Sequence, residues 1–560
     1  MKSLEEFYST LWKLLIVAGG VYFAFDLFIR RTPVEVGRET TYLVEPLDED
    51  GLPNYTLALH QKQREDVTPE DNAAALMWQV VRPSEVTDEE YALICRELAV
   101  TPSANEQLVT DFSGDETIAR LIEWRLAADD AGAERELDEL EQVEFTEAIV
   151  EWVRPLPGLP WKREHAPPLA NWLDENQTQL DRLVTVAARP KFYSPSPNAL
   201  ADSNTAVLDM EVPHILAVRK VSRTLAVRAA LRMGGEQHEK AWQDCLACWR
   251  LGECISNGPM LLDRLAGIGI RDVAMRSTVA LVQVTDLPIE KLRQMLVEID
   301  NLQQQVDLAP AVDFSERLYF LDATLRLATH RLGGADESFS FSLPVEVDSN
   351  VVLRVGNEWF DRFVAAAALA DPTRRRAEME AIEGELRDQF DAALRKPLAL
   401  AFNRTTRSEF VGSILTRLLM PNASLLYRAQ VRDATNYQLT RLAVCLAIHH
   451  ATDGEYPKTL ESLAPRVTAN MLIDPFSGEQ LIYKRCEEGY LLYSVSANGL
   501  DEGGDDYETP IVDGEWLSPE AWSEFSPPDF LDADIVIRVP LPPPPPLKLP
   551  TKPASDYAEP

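Results

Sequence analysis

The feature that most restricts how this chain can fold is a long apolar segment near its start, Leu11–Ile29, in which Lys13 and Asp26 are the only charged residues. Nineteen residues in a helix span about 28 Å, which is close to the hydrocarbon thickness of a bilayer. Lys13 can extend its ammonium group toward the headgroups from one end of the segment. We therefore predict a transmembrane helix at residues 11–29, preceded by an N-terminal tail at residues 1–10.

Two other interpretations of this segment stay open. A secretory signal peptide would need small residues at a cleavage site, whereas the segment ends in Asp26-Leu-Phe-Ile-Arg-Arg. A helix buried in a protein core is the second alternative. Arg30, Arg31 and Arg38 follow the apolar segment, and the positive-inside rule then favours a cytoplasmic body, although long domains are translocated regardless of flanking charge.

The charge of the chain excludes one class of partner. Ninety acidic residues face 54 basic ones, which gives a net charge of −36. Such a surface repels phosphate backbones, so we expect no nucleic-acid partner. Basic proteins or divalent cations suit it better. The six cysteines are too few for a disulfide scaffold in a chain of 560 residues.

The remaining sequence predicts a mainly α-helical body. Residues 30–70 contain several prolines and indicate a linker, and residues 71–210 form an acidic helical region. Residues 211–410 predict helical hairpins of weakly tetratricopeptide-like character, with a strand-like insert at 338–355 where polar and apolar residues alternate. Predicted helices within the hairpin region cover His214–Met233, Glu236–Ser256, a segment that ends near Val284, and Pro288–Gln305. Residues 541–560 are rich in proline and predict a disordered tail.

The sequence nominates no catalytic residue. Motifs of the HExxH, GxSxG and GxxxxGK types are absent. His238, Cys245 and Cys248 lie near one helix face, but two tryptophans share that face, which indicates packing. His449 and His450 are adjacent on a helix and point about 100° apart, so they cannot easily share a metal ion. Whether the chain is an enzyme stays uncertain.

Residues 423–540 contain a series of short motifs in a recognisable order. A predicted helix at Ala423–His450 is followed by Tyr456-Pro457, by Asp474-Pro475 with Gly478 close behind, and by the strand-like segment Tyr490–Val495. A Gly- and Asp-rich loop comes next, and Ala533-Asp534-Ile535 completes the series. This order resembles the soluble domain of type II secretion major pseudopilins, and the resemblance implies an α+β module. The arrangement also resembles a broad group of bacterial single-span membrane proteins.

The resemblance implies a calcium site in the acidic loop. Asn498 and Asp534 match the family's loop positions, and Asp501, Asp505 and Asp506 are further acids nearby. Ca²⁺ takes six to eight oxygen ligands, which carboxylates and backbone carbonyls supply. We therefore predict Ca²⁺ as the cofactor. A solvated turn without metal is the alternative.

These observations together indicate a membrane-anchored envelope protein with a structural or protein-interaction role. Its expected partners are the membrane and other envelope proteins. A membrane-tethered enzyme, whose site is assembled from scattered residues, is the alternative. The resemblance and the acidity favour a single-pass protein of the cell membrane with an extracytoplasmic body. A reporter fused after Pro560 tests that location, because alkaline phosphatase is active only after export and fluorescence from an ordinary GFP would contradict export.

Overall fold

The fold was established from a computed structural model, which describes most of the chain outside the N- and C-terminal segments. The described residues are 32–104, 108–109, 115–128, 143, 145–149, 152, 156–284, 287–302, 304–329, 347–369, 371–395, 400, 403–504, 511–512, 515–516 and 534–541. The protein is mainly helical and carries a small three-stranded antiparallel sheet.

The helices before the hairpin region are short. Helices α1 to α7 cover Tyr55–Arg64, Ala73–Met77, Asp88–Glu97, Asp115–Ala128, Pro167–Glu175, Gln177–Val186 and Pro197–Ala201. Local capping explains several of their starts. At α3, the Thr87 hydroxyl accepts a hydrogen bond from the Glu90 N–H while the Glu90 carboxylate accepts one from the Thr87 N–H. Such reciprocal capping satisfies backbone donors that the first helical turn leaves unpaired.

Longer helices form the centre of the molecule. Helices α8 to α11 cover Pro213–Gly234, His238–Ser256, Leu261–Val284 and Ile289–Asp300. The predicted bounds of α8 and α9 and the predicted end of α10 agree to within two residues, whereas α11 ends at Asp300, five residues before the predicted Gln305. A short helix at Ala309–Ala311 and a π-helical turn at Val312–Glu316 lead into α12, Arg317–Thr329. Helices α13 to α16 cover Ser349–Ala367, Pro372–Leu394, Arg404–Leu419 and Ala423–Asp453.

The strands follow the last helix. Strands β1 to β5 cover Ile482–Arg485, Tyr490–Ser494, Ile511–Val512, Glu515–Trp516 and Ile535–Val539. In the three-stranded sheet β2 lies between β1 and β5, and both pairs are antiparallel. The sheet packs against α16, as an α+β module requires.

Two hydrophobic cores share helix α16. One core contains α8 to α11, the sheet and the second half of α16, where Leu442 and Leu446 are fully buried. The other contains α1, α12 to α14 and the start of α16, where Ala423 and Leu426 are buried. The 31-residue helix therefore ties the C-terminal sheet to both cores.

The predicted fold class needs correction in its membrane-spanning element. Among residues 32–541, as far as the structure describes them, no helix is long and apolar enough to cross a membrane. The predicted transmembrane segment at 11–29, the tail at 1–10 and most of the proline-rich tail at 541–560 lie outside the described residues.

The predicted strand-like insert at 338–355 is also wrong where the structure describes it. Residues from Ser349 onward form helix α13, and the Asp348 carboxylate caps it by accepting a hydrogen bond from the Asn350 N–H at 3.1 Å. Asp348 thus begins a helix, and the residues that follow it are not a strand. Val352, Trp359 and Phe363 are buried along the helix, and that burial stabilises it.

The prediction of a linker at residues 30–70 is also wrong for the residues that the structure describes. Residues 32–54 pack against the second core, where Thr40 and Thr41 are buried, and residues 55–64 form helix α1. Contacts with residues some 300 positions later hold this segment, so its proline content alone was misleading.

Candidate functional site

The acidic loop lies between two strands that pair with each other. Ser494, the last residue of β2, pairs with Ile535, the first residue of β5. The residues after Ser494 and the residue before Ile535 are therefore neighbours in space. This register brings Asp534 against the loop at residues 495–504.

Glycines let the loop turn tightly. Gly499, Gly503 and Gly504 have φ values of +67°, +84° and +87°, a region that residues with a Cβ rarely adopt. A Cβ at Gly504 would also lie 2.7 Å from the Leu491 side chain. The loop backbone thus needs glycine at this point.

Two carboxylates face each other inside the turn. Asp534 is 2% exposed, and its Oδ2 accepts a hydrogen bond from the Gly504 N–H at 2.9 Å. The Glu502 carboxylate lies within hydrogen-bonding reach of Asp534, and its Oε1 accepts from Asn498 Nδ2 at 2.6 Å. The other oxygen of each group is buried, and no donor among the described residues reaches it. Since ionised carboxylates only accept hydrogen bonds, the pair needs a proton or a cation between them.

The electrostatics agree with that geometry. Burial raises the pKa of Asp534 to about 7, and the nearby Glu502 and Asp501 carboxylates act in the same direction, against the hydrogen bond from Gly504. Near neutral pH, Asp534 therefore holds a proton much of the time, and a bound cation would compete with that proton.

A cationic side chain lies at the rim of the loop. Lys484 Nζ donates a hydrogen bond to the Tyr493 hydroxyl at 2.7 Å, and that hydroxyl donates to Asp501 Oδ1 at 2.8 Å. The Gly503 N–H also donates to Asp501 Oδ1, at 2.9 Å. The hydrogen bond from Tyr493 is the main cause that lowers the pKa of Asp501. Asp501 is therefore held ionised and turned toward the strands.

The predicted calcium residues are only partly brought together. Asn498, Asp501 and Asp534 all belong to this loop, while Asp505 and Asp506 lie outside the described residues. Across the part of the chain that the structure describes, no group of three or more His, Cys, Asp or Glu side chains is arranged to hold a metal ion. Any calcium site here therefore needs amide, carbonyl or water oxygens in addition.

Sequence reasoning missed Glu502, Lys484 and Tyr493. Glu502 occurs within the predicted loop, but nothing in its local sequence shows that it meets Asp534. Lys484 lies in β1 and Tyr493 in β2. The alternation of residues along β1 places Lys484 on the exposed side, and this was the one indication in the sequence that it could reach the loop. Their meeting depends on the pairing of β1 with β2.

Asp474, part of the motif that carried the resemblance, has a structural role. It is 1% exposed, and its Oδ1 accepts hydrogen bonds from the Phe476 N–H and the Ser494 hydroxyl at 2.9 and 2.8 Å. Its Oδ2 accepts from the Val495 N–H at 3.2 Å. Asp474 thus fixes the start of the acidic loop and does not itself face the carboxylate pair.

The cysteine and histidine groups singled out in the sequence lie in different environments. Cys245 and Cys248 are fully buried in α9, and burial raises the pKa of both thiols. His449 pairs with Asp453 at 3.1 Å, and His450 stacks on the Tyr456 ring at a centroid distance of 4.5 Å. The two cysteines thus pack in the core, while His449 and His450 contact different residues.

One surface pocket contains a histidine. Its volume is about 290 Å³ when the space open to solvent is included, and its lining comprises Thr56, Leu57, His60, Ser196, Ala199, Leu200 and Ser203. Burial lowers the pKa of His60, whose Nε2 is hydrogen-bonded to the Tyr193 hydroxyl. The Tyr193 hydroxyl in turn donates to Glu97 Oε1 at 3.3 Å. The pocket places the His60 imidazole beside the hydroxyl groups of Thr56, Ser196 and Ser203. Of the features described, this one bears on the alternative of a membrane-tethered enzyme.

We compared the chain with protein-family models, with curated proteins and with solved structures. No family model matches, no curated protein matches, and no solved structure matches.

Proposed function

We propose that this protein has a structural or protein-interaction role and that its C-terminal α+β module binds one Ca²⁺ in the acidic loop. The observation that carries the proposal is the pair of half-buried Glu502 and buried Asp534, each with one buried oxygen that no donor among the described residues reaches. A dication between them removes their mutual repulsion and adds an attraction to both.

The chemistry of the loop suits a hard cation. Carboxylate, amide and carbonyl oxygens are the ligands that Ca²⁺ takes, and Asn498, Asp501, Asp505 and Asp506 are the candidates to complete the set. The bound ion would join the loop after β2 to Asp534, the residue that precedes β5. Calcium would thereby stabilise the pairing of these two strands.

The interaction role rests on the shape and charge of the body. Long helices expose extended surfaces, and α16 connects the C-terminal module with both cores. A net charge of −36 favours partners with basic surfaces, because complementary charge accelerates encounter and suppresses acidic competitors.

Thermal melting of the full chain with calcium and with EDTA tests the calcium site. Loop sites of extracellular type have Kd values of about 10⁻⁴–10⁻³ M, so about 5 mM CaCl₂ should add roughly 1–2 kcal/mol to the free energy of unfolding. In EDTA, Asp534→Asn with Glu502→Gln should melt no lower than the unmodified chain, since the substitutions remove the repulsion.

The matched control for this experiment is Asp202→Asn, an exposed carboxylate far from the loop in sequence. It should keep the full response to calcium, whereas the double variant should lose it. A melting temperature that ignores calcium, or a calcium shift that survives the double substitution, would refute the site. Mg²⁺ at the same concentration should shift the melt less, because Mg²⁺ gives up its hydration water reluctantly.

A further inference from the structure

The pocket beside helix α1 contains an imidazole whose orientation is fixed by the groups behind it. His60 Nε2 is hydrogen-bonded to the Tyr193 hydroxyl, which donates to Glu97 Oε1 at 3.3 Å. Glu97 Oε1 also accepts a hydrogen bond from Arg64 Nη1 at 2.9 Å. Tyr193 is buried, so this support for the imidazole is shielded from solvent, whereas His60 itself lines the pocket.

The direction of these hydrogen bonds determines the tautomer of His60. A carboxylate in an ion pair only accepts hydrogen bonds, so the single proton of the Tyr193 hydroxyl is directed to Glu97. The Tyr193 oxygen can then only accept from His60, which places the imidazole proton on Nε2. Nδ1 keeps its lone pair, and no donor among the described residues reaches it. His60 therefore presents Nδ1 to the pocket as a hydrogen-bond acceptor.

Burial favours the neutral form of this imidazole. It lowers the pKa of His60, and the charge of Arg64 acts in the same direction while that of Glu97 opposes it. Burial also raises the pKa of Tyr193, with Glu97 adding to the effect, so the hydroxyl keeps its proton. Near neutral pH, Nδ1 is therefore an acceptor and not a donor.

Two buried hydroxyl groups in the same lining are acceptors as well. Thr56 Oγ1 donates to the Thr205 carbonyl at 2.6 Å, and Ser196 Oγ donates to Asn198 Oδ1 at 2.7 Å. A hydroxyl has one proton, so each of these oxygens has only lone pairs left for a ligand. The pocket thus offers three acceptors, from His60, Thr56 and Ser196.

The remaining lining residues restrict the size and polarity of a ligand. Leu57, Ala199 and Leu200 are apolar, and Ser203 is exposed at the rim. The volume of about 290 Å³ lies at the lower end of the range for small-molecule pockets, so the ligand is small. A primary ammonium group has three donors and no acceptor, which matches the three acceptors. The net charge of −36 also favours a cation over an anion.

We propose that this pocket binds a primary ammonium group on a short alkyl chain, with its N–H bonds directed to His60 Nδ1, Thr56 Oγ1 and Ser196 Oγ. A free alkylamine and the lysine side chain of a partner protein share this chemistry. The pocket uses no residue of the acidic loop. Its failure as a site therefore leaves the calcium site intact, and failure of the calcium site leaves the pocket intact.

Calorimetric titration of the full chain with n-butylamine tests this binding at pH 8, where the amine carries its proton. We expect a dissociation constant of about 1 mM, which is within reach of a ligand of this size. n-Butyltrimethylammonium keeps the charge and the alkyl chain but has no N–H donor, and n-butanol has a single donor. Both should bind at least about tenfold more weakly, because hydrogen bonds to the buried acceptors are lost.

Variants assign the binding to the pocket. His60→Leu should weaken binding of n-butylamine by roughly tenfold, whereas His165→Leu, at an exposed histidine, is the control and should leave it unchanged. Tyr193→Phe should also weaken binding, because the imidazole proton is then no longer held on Nε2. Thermal melting of each variant shows whether it is folded, and the comparison of the three ligands on the unmodified chain does not depend on any variant.

A peptide identifies the source of the ammonium group. If acetyl-Ala-Lys-Ala-amide binds as tightly as n-butylamine and its glutamine counterpart does not bind, the pocket admits a lysine side chain. If n-butylamine binds and the peptide does not, the ligand is a free amine. The proposal would be overturned by n-butylamine that fails to bind at about 20 mM, by n-butyltrimethylammonium that binds equally well, or by a folded His60→Leu variant with unchanged affinity.

Discussion

At the scale of single residues, most buried charges of this protein have opposite charges beside them. Asp244 is fully buried, and Arg228 and Arg232 donate to its two oxygens at 2.6 and 2.7 Å. Asp263 is buried as well, and its Oδ1 is hydrogen-bonded to His214 Nε2 at 2.8 Å. A buried charge is tolerated in this way only when it is paired and hydrogen-bonded.

Glu316, which is half-buried, has no such partner in the part of the chain that the structure describes. It ends the π-helical turn before α12, and the Ser315 hydroxyl donates to its Oε1 at 3.3 Å. Among the described residues, no lysine or arginine forms an ion pair with it. Burial raises the pKa of Glu316 to about 7, so ionisation of this carboxyl opposes folding.

We expect Glu316→Gln to stabilise the protein at alkaline pH. An acid whose folded pKa is raised from 4.5 to about 7 leaves stability intact below pH 4.5 and reduces it as the pH rises toward 7, by roughly 3 kcal/mol at most. The glutamine variant should therefore unfold at higher urea concentration than the parent at pH 8 and at a similar concentration at pH 4.5.

The control for Glu316→Gln is Glu164→Gln, because Glu164 is exposed. This control variant should unfold at the same urea concentration as the parent at both pH values. If Glu316→Gln stabilised the protein against urea by the same amount at both pH values, ionisation of Glu316 would not be the cause. The loss of a packing contact does not depend on pH, whereas the protonation of a buried carboxyl does.

At the scale of elements, close contacts between helices depend on glycine. A Cβ at Gly356 of α13 would lie 1.9 Å from the Phe320 ring of α12. The ring is itself buried and packs on Phe360 at a centroid distance of 5.9 Å. It has little room to move, so α12 and α13 can approach only because residue 356 lacks a side chain.

Two glycine substitutions should have opposite effects on stability. Gly356→Ala should lower the free energy of unfolding by about 1–3 kcal/mol or more, since it overpacks a core. Gly384→Ala lies within α14, where a Cβ meets nothing within 4 Å, and should raise it by about 0.5–1 kcal/mol through better helix propensity. Urea unfolding of both variants checks the pair. If both substitutions lowered the free energy of unfolding, close packing against Phe320 would not explain the effect of Gly356→Ala.

At the scale of the whole molecule, helix α16 makes the two cores dependent on each other. Midway along α16, Asp433 meets Arg271 of α10 at 2.7 Å, and both side chains are buried. Asp433 Oδ2 also accepts a hydrogen bond from the Val306 N–H at 2.9 Å. Burial raises the pKa of Asp433, and Arg271 opposes that shift. This pair joins the last helix to the hairpin array.

We expect Asp433→Ala to cost about 3–5 kcal/mol, because it leaves Arg271 charged and unpaired in the core. Hydrogen exchange should show that amides of α9, in one core, and of α12, in the other, both lose protection. Arg271→Met with Asp433→Leu should recover much of the loss, since an apolar pair removes the buried charge. Loss of protection in one core alone would contradict the coupling through α16.

Local sequence determined much of the helical framework. The bounds of α8 and α9, the end of α10 and the start of α16 follow from periodicity and stop signals, and Gly454 ends α16 with φ +79° as a helix-terminating glycine does. The acidic loop was also visible in sequence, since glycines and acids cluster there. These features depend on neighbours within a few residues, which is why sequence alone was sufficient.

Tertiary structure alone decided the rest. Glu502 meets Asp534 because β2 pairs with β5 in one register, and residues 33–40 are held in place because Asn350 and Asn357 of α13 hydrogen-bond to their backbone. The alternating residues around position 350 suggested a strand, yet burial of one helical face against α12 and α15 made them a helix. Contacts between residues far apart in sequence determine which of these side chains meet and which secondary structure the segment near residue 350 adopts. Capping and periodicity act within a few residues and contain no record of such contacts.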